Sequence, residues 1–131
     1  MTKTVLAVDD ETFFLDAYRD HLGQLYDLTT TPNLNWALGE VGRRWFDVVI
    51  SDMNMPSMDG TQFLERVHKQ EVQAGRNPSK KILATSYVED AVANQLNRLI
   101  GIGIEVHYLH KPTVTREPDK LISMIRELVG Q

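Results

Sequence analysis

The sequence predicts an α/β fold, a doubly wound parallel sheet of about five strands interleaved with about five helices. Two observations carry this. Short apolar runs recur along the chain and several stop abruptly at an acid, as strands buried on both faces of a parallel sheet do. Between them lie stretches with helical apolar stripes, joined by short connections, which is the pattern of successive βα units.

The first strand is the apolar run at residues 5–8, closed by Asp9, Asp10 and Glu11. Phe14, Tyr18, Leu22 and Leu25 then fall on one helical stripe. Leu28, Thr29 and Thr30 form a short second strand, after which Thr31 and Pro32 read as a helix N-cap followed by proline at the first helical position. Leu34, Leu38, Val41 and Trp45 make the inner face of that second helix, with Trp36 also a packing residue. Gly39 and Gly42 weaken it by roughly 1 kcal/mol each relative to alanine.

Residues 46–52 repeat the first pattern, an apolar strand ending in Asp52. Asp59, Gly60, Thr61 and Gln62 have the spacing of a capping box, and Phe63, Leu64 and Val67 supply the buried face that follows. The loop at residues 75–79 precedes a fourth strand at 81–85. Ser86 to Glu89 then reads as another capping box, opening a helix with the stripe Val88, Val92, Leu96 and Leu99. Gly101 and Gly103 end it. The last strand lies at 105–109 and stops at Lys111 and Pro112. Leu121, Ile122, Ile125, Leu128 and Val129 form the final helix face, between Pro118 and Gly130.

With 131 residues, 42% of them hydrophobic, the chain suits a single domain over residues 1–131 that needs no covalent staple. It contains no cysteine, which removes disulfides, thiolate zinc sites and cysteine nucleophiles together. A net charge of −4 argues against broad binding to nucleic acid or anionic lipid. The N-terminal apolar stretch is too short for a signal sequence, and no run approaches the ~18 residues of a membrane span. These features point to the cytoplasm.

In such a sheet, ligands bind beyond the carboxyl ends of the strands, where strand order reverses. The strand ends here carry Asp9 and Asp10, Asp52, Thr85 and Lys111. Three carboxylates in one pocket repel each other, and an oxygen-rich cluster of this kind suits a hard divalent cation such as Mg²⁺. That ion and the Lys111 ammonium together leave a site near neutrality, able to accept a phosphoryl dianion.

At this point the chain resembles a known family, the receiver domains of two-component response regulators. The matching segments are Val8, Asp9, Asp10 and Glu11; Ser51, Asp52, Met53, Asn54, Met55 and Pro56 with Asp59 and Gly60; Thr85 and Ser86; and Tyr108, Leu109, His110, Lys111 and Pro112. All occur in the family's order and spacing, over nearly the whole chain. The resemblance implies the flavodoxin-like strand order 2-1-3-4-5. It also implies that Asp52 accepts a phosphoryl group from a sensor histidine kinase or phosphotransfer protein, with Mg²⁺ as cofactor. Asp10, Asp52 and the Asn54 backbone carbonyl would be metal ligands, with Asp9 holding a coordinating water. Thr85 and Lys111 would donate to the transferred oxygens, the roles that in-line phosphoryl transfer requires. Thr85 and Tyr108 would form the switch, acting on the face of the fourth helix, fifth strand and fifth helix to control an output protein or a C-terminal effector domain. The family's Lys-Pro step, here Lys111 and Pro112, is typically cis.

The function expected is therefore a phosphorylation-activated switch, with at most intrinsic Mg²⁺-dependent autophosphorylation and autodephosphorylation as enzymology. An aspartyl phosphohydrolase of the haloacid dehalogenase type needs an acid two residues after its nucleophile, where this chain has Asn54. A flavodoxin-like mononucleotide carrier needs a phosphate-binding first loop, where this chain has three acids. Ser86 is assigned to capping, and His107 and His110 receive no role. Lys69, Arg76, Lys80 and Lys81 read as a solvated basic cluster. The apolar segment Gly101, Ile102, Gly103 and Ile104 is read as part of a partner or homodimer surface. Direct contact with nucleic acid or membrane is not expected.

Overall fold

The computed structural model describes residues 2–131. Strands β1 (Thr4–Val8), β2 (Asp27–Thr31), β3 (Val48–Asp52), β4 (Lys80–Thr85) and β5 (Val106–His110) form one sheet, all parallel, in the order β2-β1-β3-β4-β5. Helices α1 (Thr12–Leu22), α2 (Leu34–Arg43), α3 (Gly60–Gln73), α4 (Glu89–Gly101), α5 (Thr113–Arg116) and α6 (Pro118–Leu128) cover its two faces. Strand order reverses between β1 and β3, so a crevice opens beyond their carboxyl ends.

Period-two alternation within the strands divides the core. Leu6, Val8, Val49 and Leu83 point toward α2, α3 and α4, where they meet Leu38, Phe63, Leu64 and Leu99. Val5, Ala7, Val48, Ile50, Ile82 and Ala84 point the other way, onto Tyr18, Leu22, Leu121 and Ile125 of α1 and α6. Burying both faces explains why these strands read as unbroken apolar runs.

Several expectations need correction. Among the described residues the helices number six, close to the five or so expected, because residues 113–116 form a one-turn helix before the last long one. Leu25 lies past the end of α1 and is exposed. Helix α2 is capped by Asn33, whose side chain accepts from Trp36 N at 2.9 Å, while Thr31 finishes β2. The polar cap nearer the helix wins, and the Thr31 hydroxyl instead accepts from Asn33 N. Trp45 is 63% exposed and lies beyond α2, and Trp36 is exposed as well.

The capping box of α3 forms as read, Asp59 accepting from Gln62 N and Gln62 accepting from Asp59 N, each at 2.9 Å. The second one does not. Helix α4 starts at Glu89, with Val88 exposed at its cap and no side-chain capping bond; Glu89 and Asp90 suit the helix dipole instead. Among the described residues no peptide bond is cis, so Lys111–Pro112 is trans. Pro112 is helical, and its carbonyl accepts from Arg116 N. Ile104 is buried in the core, which leaves Ile102 as the exposed apolar residue of the segment at 101–104, next to the exposed Ile100 of α4.

The basic cluster is not solvated throughout. Lys81 is buried and paired with Glu71 at 2.8 Å, and it also donates to the Ser79 carbonyl. Arg76 reaches back to the backbone carbonyls of Val41, Gly42 and Arg44 at the end of α2.

Candidate functional site

The carboxyl ends of β1, β3, β4 and β5 bring Asp9, Asp52, Thr85 and Lys111 together, all four buried. Asp9 is fixed by its own neighbour, since Glu11 N donates to its Oδ1 at 2.8 Å. Asp52 ends β3, and its Oδ1 accepts from Met53 N at 2.9 Å. Gly60 allows this strand end to sit where it does: Gly60 N donates to the Met53 carbonyl at 2.8 Å, and a Cβ on Gly60 would lie 2.1 Å from the Asp52 carbonyl oxygen. The Asp59-Gly60 step is thus a close backbone approach as well as a helix start.

Lys111 enters from the end of β5, held by its own N–H on the Thr85 carbonyl at 2.8 Å. Its Nζ lies 2.8 Å from Asp9 Oδ2, 3.2 Å from Glu11 Oε1 and 3.3 Å from Asp52 Oδ1, with the Phe14 ring centroid 4.2 Å away. Burial alone would lower the Lys111 pKa. Contact with Asp9, the charges of Asp9 and Asp52, and the bond to Glu11 outweigh it and hold the ammonium above the usual lysine range. Burial raises Asp9, opposed by its contact with Lys111. Burial, then the negative charge of Asp9, lifts Asp52 to about 6, with Lys111 offsetting part of the rise.

Asp9, Asp10, Glu11 and Asp52 therefore share the pocket with one lysine, three acids more than it can neutralise. Asp9, Asp10, Glu11 and Asp52 each offer a carboxylate oxygen, and these oxygens lie within 4.8 Å of one another. Asp9 Oδ2 is buried and, although ion-paired to Lys111, accepts no directed hydrogen bond. An under-coordinated buried oxygen among hard oxygen donors fits a divalent cation such as Mg²⁺.

The Thr85 hydroxyl accepts from Tyr87 N at 3.2 Å. The Tyr108 ring packs against the core, and its hydroxyl donates to the Tyr87 carbonyl at 2.5 Å. Asn54 is exposed in the loop after β3. Ser86 is not a cap; its carbonyl faces His110 Nε2 at 3.2 Å. Glu11 and Phe14 are the site residues that sequence reasoning left without a role. The only signal for Glu11 was its place directly after the two aspartates, and nothing in the sequence marked Phe14 as lying against a lysine 97 positions on.

A family model described as response regulator receiver domain matches residues 5–126. The chain is 33% identical over 128 residues to the hydrogenase transcriptional regulatory protein HoxA of Cupriavidus necator, covering 96% of this chain and 24% of that one. It is 26% identical over 130 residues to protein-glutamate methylesterase/protein-glutamine glutaminase 2 of Pseudomonas syringae pv. tomato, covering 97% of this chain and 34% of that one. The chain thus spans about a quarter to a third of the length of these curated relatives. Among solved structures, a CheY-like response regulator receiver domain protein from Methanospirillum hungatei superposes with a TM-score of 0.80 at 27% identity, over 99% of this chain and 95% of that one.

Proposed function

The chain belongs to the response regulator receiver domain family, and from that premise we propose that Asp52 is its phosphoacceptor, Lys111 and Thr85 its phosphoryl-binding donors, and Asp9, Asp10, Asp52 and the Asn54 carbonyl its metal-holding groups. The observation that carries this reading is the Lys111 ammonium within 3.3 Å of Asp52 Oδ1, in a pocket with surplus carboxylate charge.

In the reaction, an Asp52 carboxylate oxygen attacks the phosphorus of a phosphohistidine on a partner kinase or phosphotransfer protein. An oxygen–phosphorus bond forms, the nitrogen–phosphorus bond breaks, and the imidazole nitrogen leaves with the electron pair and takes a proton. Lys111 supplies positive charge to an equatorial oxygen, and the Thr85 hydroxyl, turned from Tyr87 N, donates to another. Bound Mg²⁺ would neutralise carboxylate charge and orient the incoming phosphoryl group. Asp9, pinned by Glu11 N, keeps its second oxygen directed into the pocket.

The finer reading extends to one domain over residues 1–131 that acts in the cytoplasm as a switch, with no activity on other substrates. Its output passes through the face of α4, β5 and α6 to a partner protein, an attached effector or a second copy. No described helix is long and apolar enough to cross a membrane. Incubation with acetyl phosphate and Mg²⁺, followed by intact mass measurement, tests the core claim. One added phosphoryl group in the wild type and none in Asp52→Asn is expected. No gain in the wild type would favour a constitutive interaction module instead.

A further inference from the structure

The Lys111 ammonium lies within ion-pair distance of three carboxylates, and its one directed hydrogen bond among the described residues goes to Glu11, so a phosphoryl oxygen that Lys111 is to hold competes first with that bond. Asp9 is fully buried and anchored by a backbone amide, and Asp52 is the group being modified and stays beside the lysine. Glu11 differs from both. Its side chain is 57% exposed, and the contact with Lys111 is the one hydrogen bond its carboxylate makes among the described residues. Lys111 itself cannot swing outward, since it is 1% exposed and the Phe14 ring lies against its ammonium. The exchange must therefore happen on the carboxylate side.

We propose that Glu11 is a displaceable positioning residue, holding the Lys111 ammonium toward Asp52 in the resting protein and yielding that contact to the incoming phosphoryl oxygen. Its free carboxylate then rotates into solvent at the start of α1. The inference rests on Asp52 being the phosphoacceptor. It adds that the resting site carries a built-in competitor for its own lysine, so that affinity for the phosphoryl group is set partly by a residue that does not touch it.

Substitution at this position should leave the fold intact. Glu11 caps α1 through its backbone alone: its carbonyl accepts from Phe14 N and Leu15 N, and no side-chain capping bond exists. The test uses wild type and Glu11→Gln, with beryllofluoride in the presence of Mg²⁺ as the phosphoryl mimic. Calorimetry should show Glu11→Gln binding the mimic about two- to fivefold more tightly, the range of one half-exposed ion pair. Mg²⁺ affinity without the mimic should fall by less than about tenfold, because Glu11 adds charge near the ion without being one of the groups proposed to hold it. The NMR signals of the Lys111 side chain should differ between the two proteins in the resting state and coincide once the mimic is bound. Unchanged or weaker mimic binding in Glu11→Gln, or Lys111 signals that differ equally in both states, would overturn the proposal. So would a tenfold or greater loss of Mg²⁺ affinity, which would make Glu11 a metal ligand. If the wild type takes neither the mimic nor a phosphoryl group from acetyl phosphate, the phosphoacceptor reading itself is wrong and this inference goes with it.

Discussion

The Tyr108 hydroxyl donates to the Tyr87 carbonyl, tying the aromatic side chain of β5 to the loop that leaves β4 two residues after Thr85. That loop also carries Tyr87 N, the donor to the Thr85 hydroxyl. One short segment thus restrains both residues of the proposed switch, and moving Thr85 toward a phosphoryl oxygen must disturb the partner of Tyr108. A crystal structure with beryllofluoride bound is expected to show the Tyr108 hydroxyl parted from Tyr87 and the ring turned inward. Persistence of the 2.5 Å contact would sink the coupling. Tyr108→Phe should cost the resting state about 0.5 kcal/mol in urea denaturation, since the bond is exposed.

Tyr87, half-exposed, stands over this loop, two positions after Thr85. Its bulk is expected to limit water reaching an acyl phosphate on Asp52. Tyr87→Ala should dephosphorylate faster, by about two- to tenfold on the scale of modest access effects. An unchanged decay rate, followed by intact mass, would contradict this.

Asp52 has a predictable pH signature. Burial and the charge of Asp9 raise it from 3.8 to about 6, so the folded protein binds this proton more readily than the unfolded chain does. The resulting stabilisation is complete below the unfolded value and is lost as pH rises through about 6. Metal-free protein should therefore gain stability when acidified from neutral pH toward 5, and Asp52→Asn should flatten this dependence and stabilise it at pH 7 by about 2 kcal/mol. A denaturation series that is less stable at pH 5.5 than at 7.5 would go against the assignment.

Gly60 is bound to the Asp52 backbone by lack of space. Gly60→Ala would force the end of β3 or the start of α3 to shift, since the new methyl would sit 2.1 Å from the Asp52 carbonyl oxygen and 2.8 Å from a Leu83 methyl. A loss of about 2–4 kcal/mol is expected, together with slower phosphorylation of whatever folds. Wild-type stability in this variant would show that the backbone gives way easily.

The Lys81–Glu71 pair lies buried between α3 and β4. Burial lowers the Lys81 pKa, and contact with Glu71 opposes this. Glu71→Gln should cost about 3–5 kcal/mol by leaving the ammonium uncompensated, while Glu71→Leu with Lys81→Met should recover most of that. A single-variant loss under about 1 kcal/mol in chemical denaturation would show that water reaches the lysine.

Much of this was legible in the sequence because the sheet is buried on both sides. The runs ending at Val8 and Asp52 can be read without knowing their neighbours, and each leads directly into an acid of the candidate site, Asp9 or Asp52 itself. The Asp59 capping box was legible because its four residues need only each other. What stayed hidden depends on distant partners. Lys81 looks like one more charge in a basic loop until Glu71, ten positions earlier, comes within 2.8 Å. The Ser86 reading failed because a cap is defined by where the helix begins, and tertiary contacts of the β4–α4 loop move that start to Glu89. Glu11 acquired a role only once Lys111, a hundred positions away, was beside it.

Arg76 gives α2 an ending that the helix does not encode. No glycine follows Arg43, Arg44 is extended, and the carbonyls of Val41, Gly42 and Arg44 are satisfied by one guanidinium borrowed from beyond α3. The last turn of α2 and the tip of the chain before β4 must consequently melt as one thermodynamic unit, so amide exchange in the first is governed by the anchorage of the second.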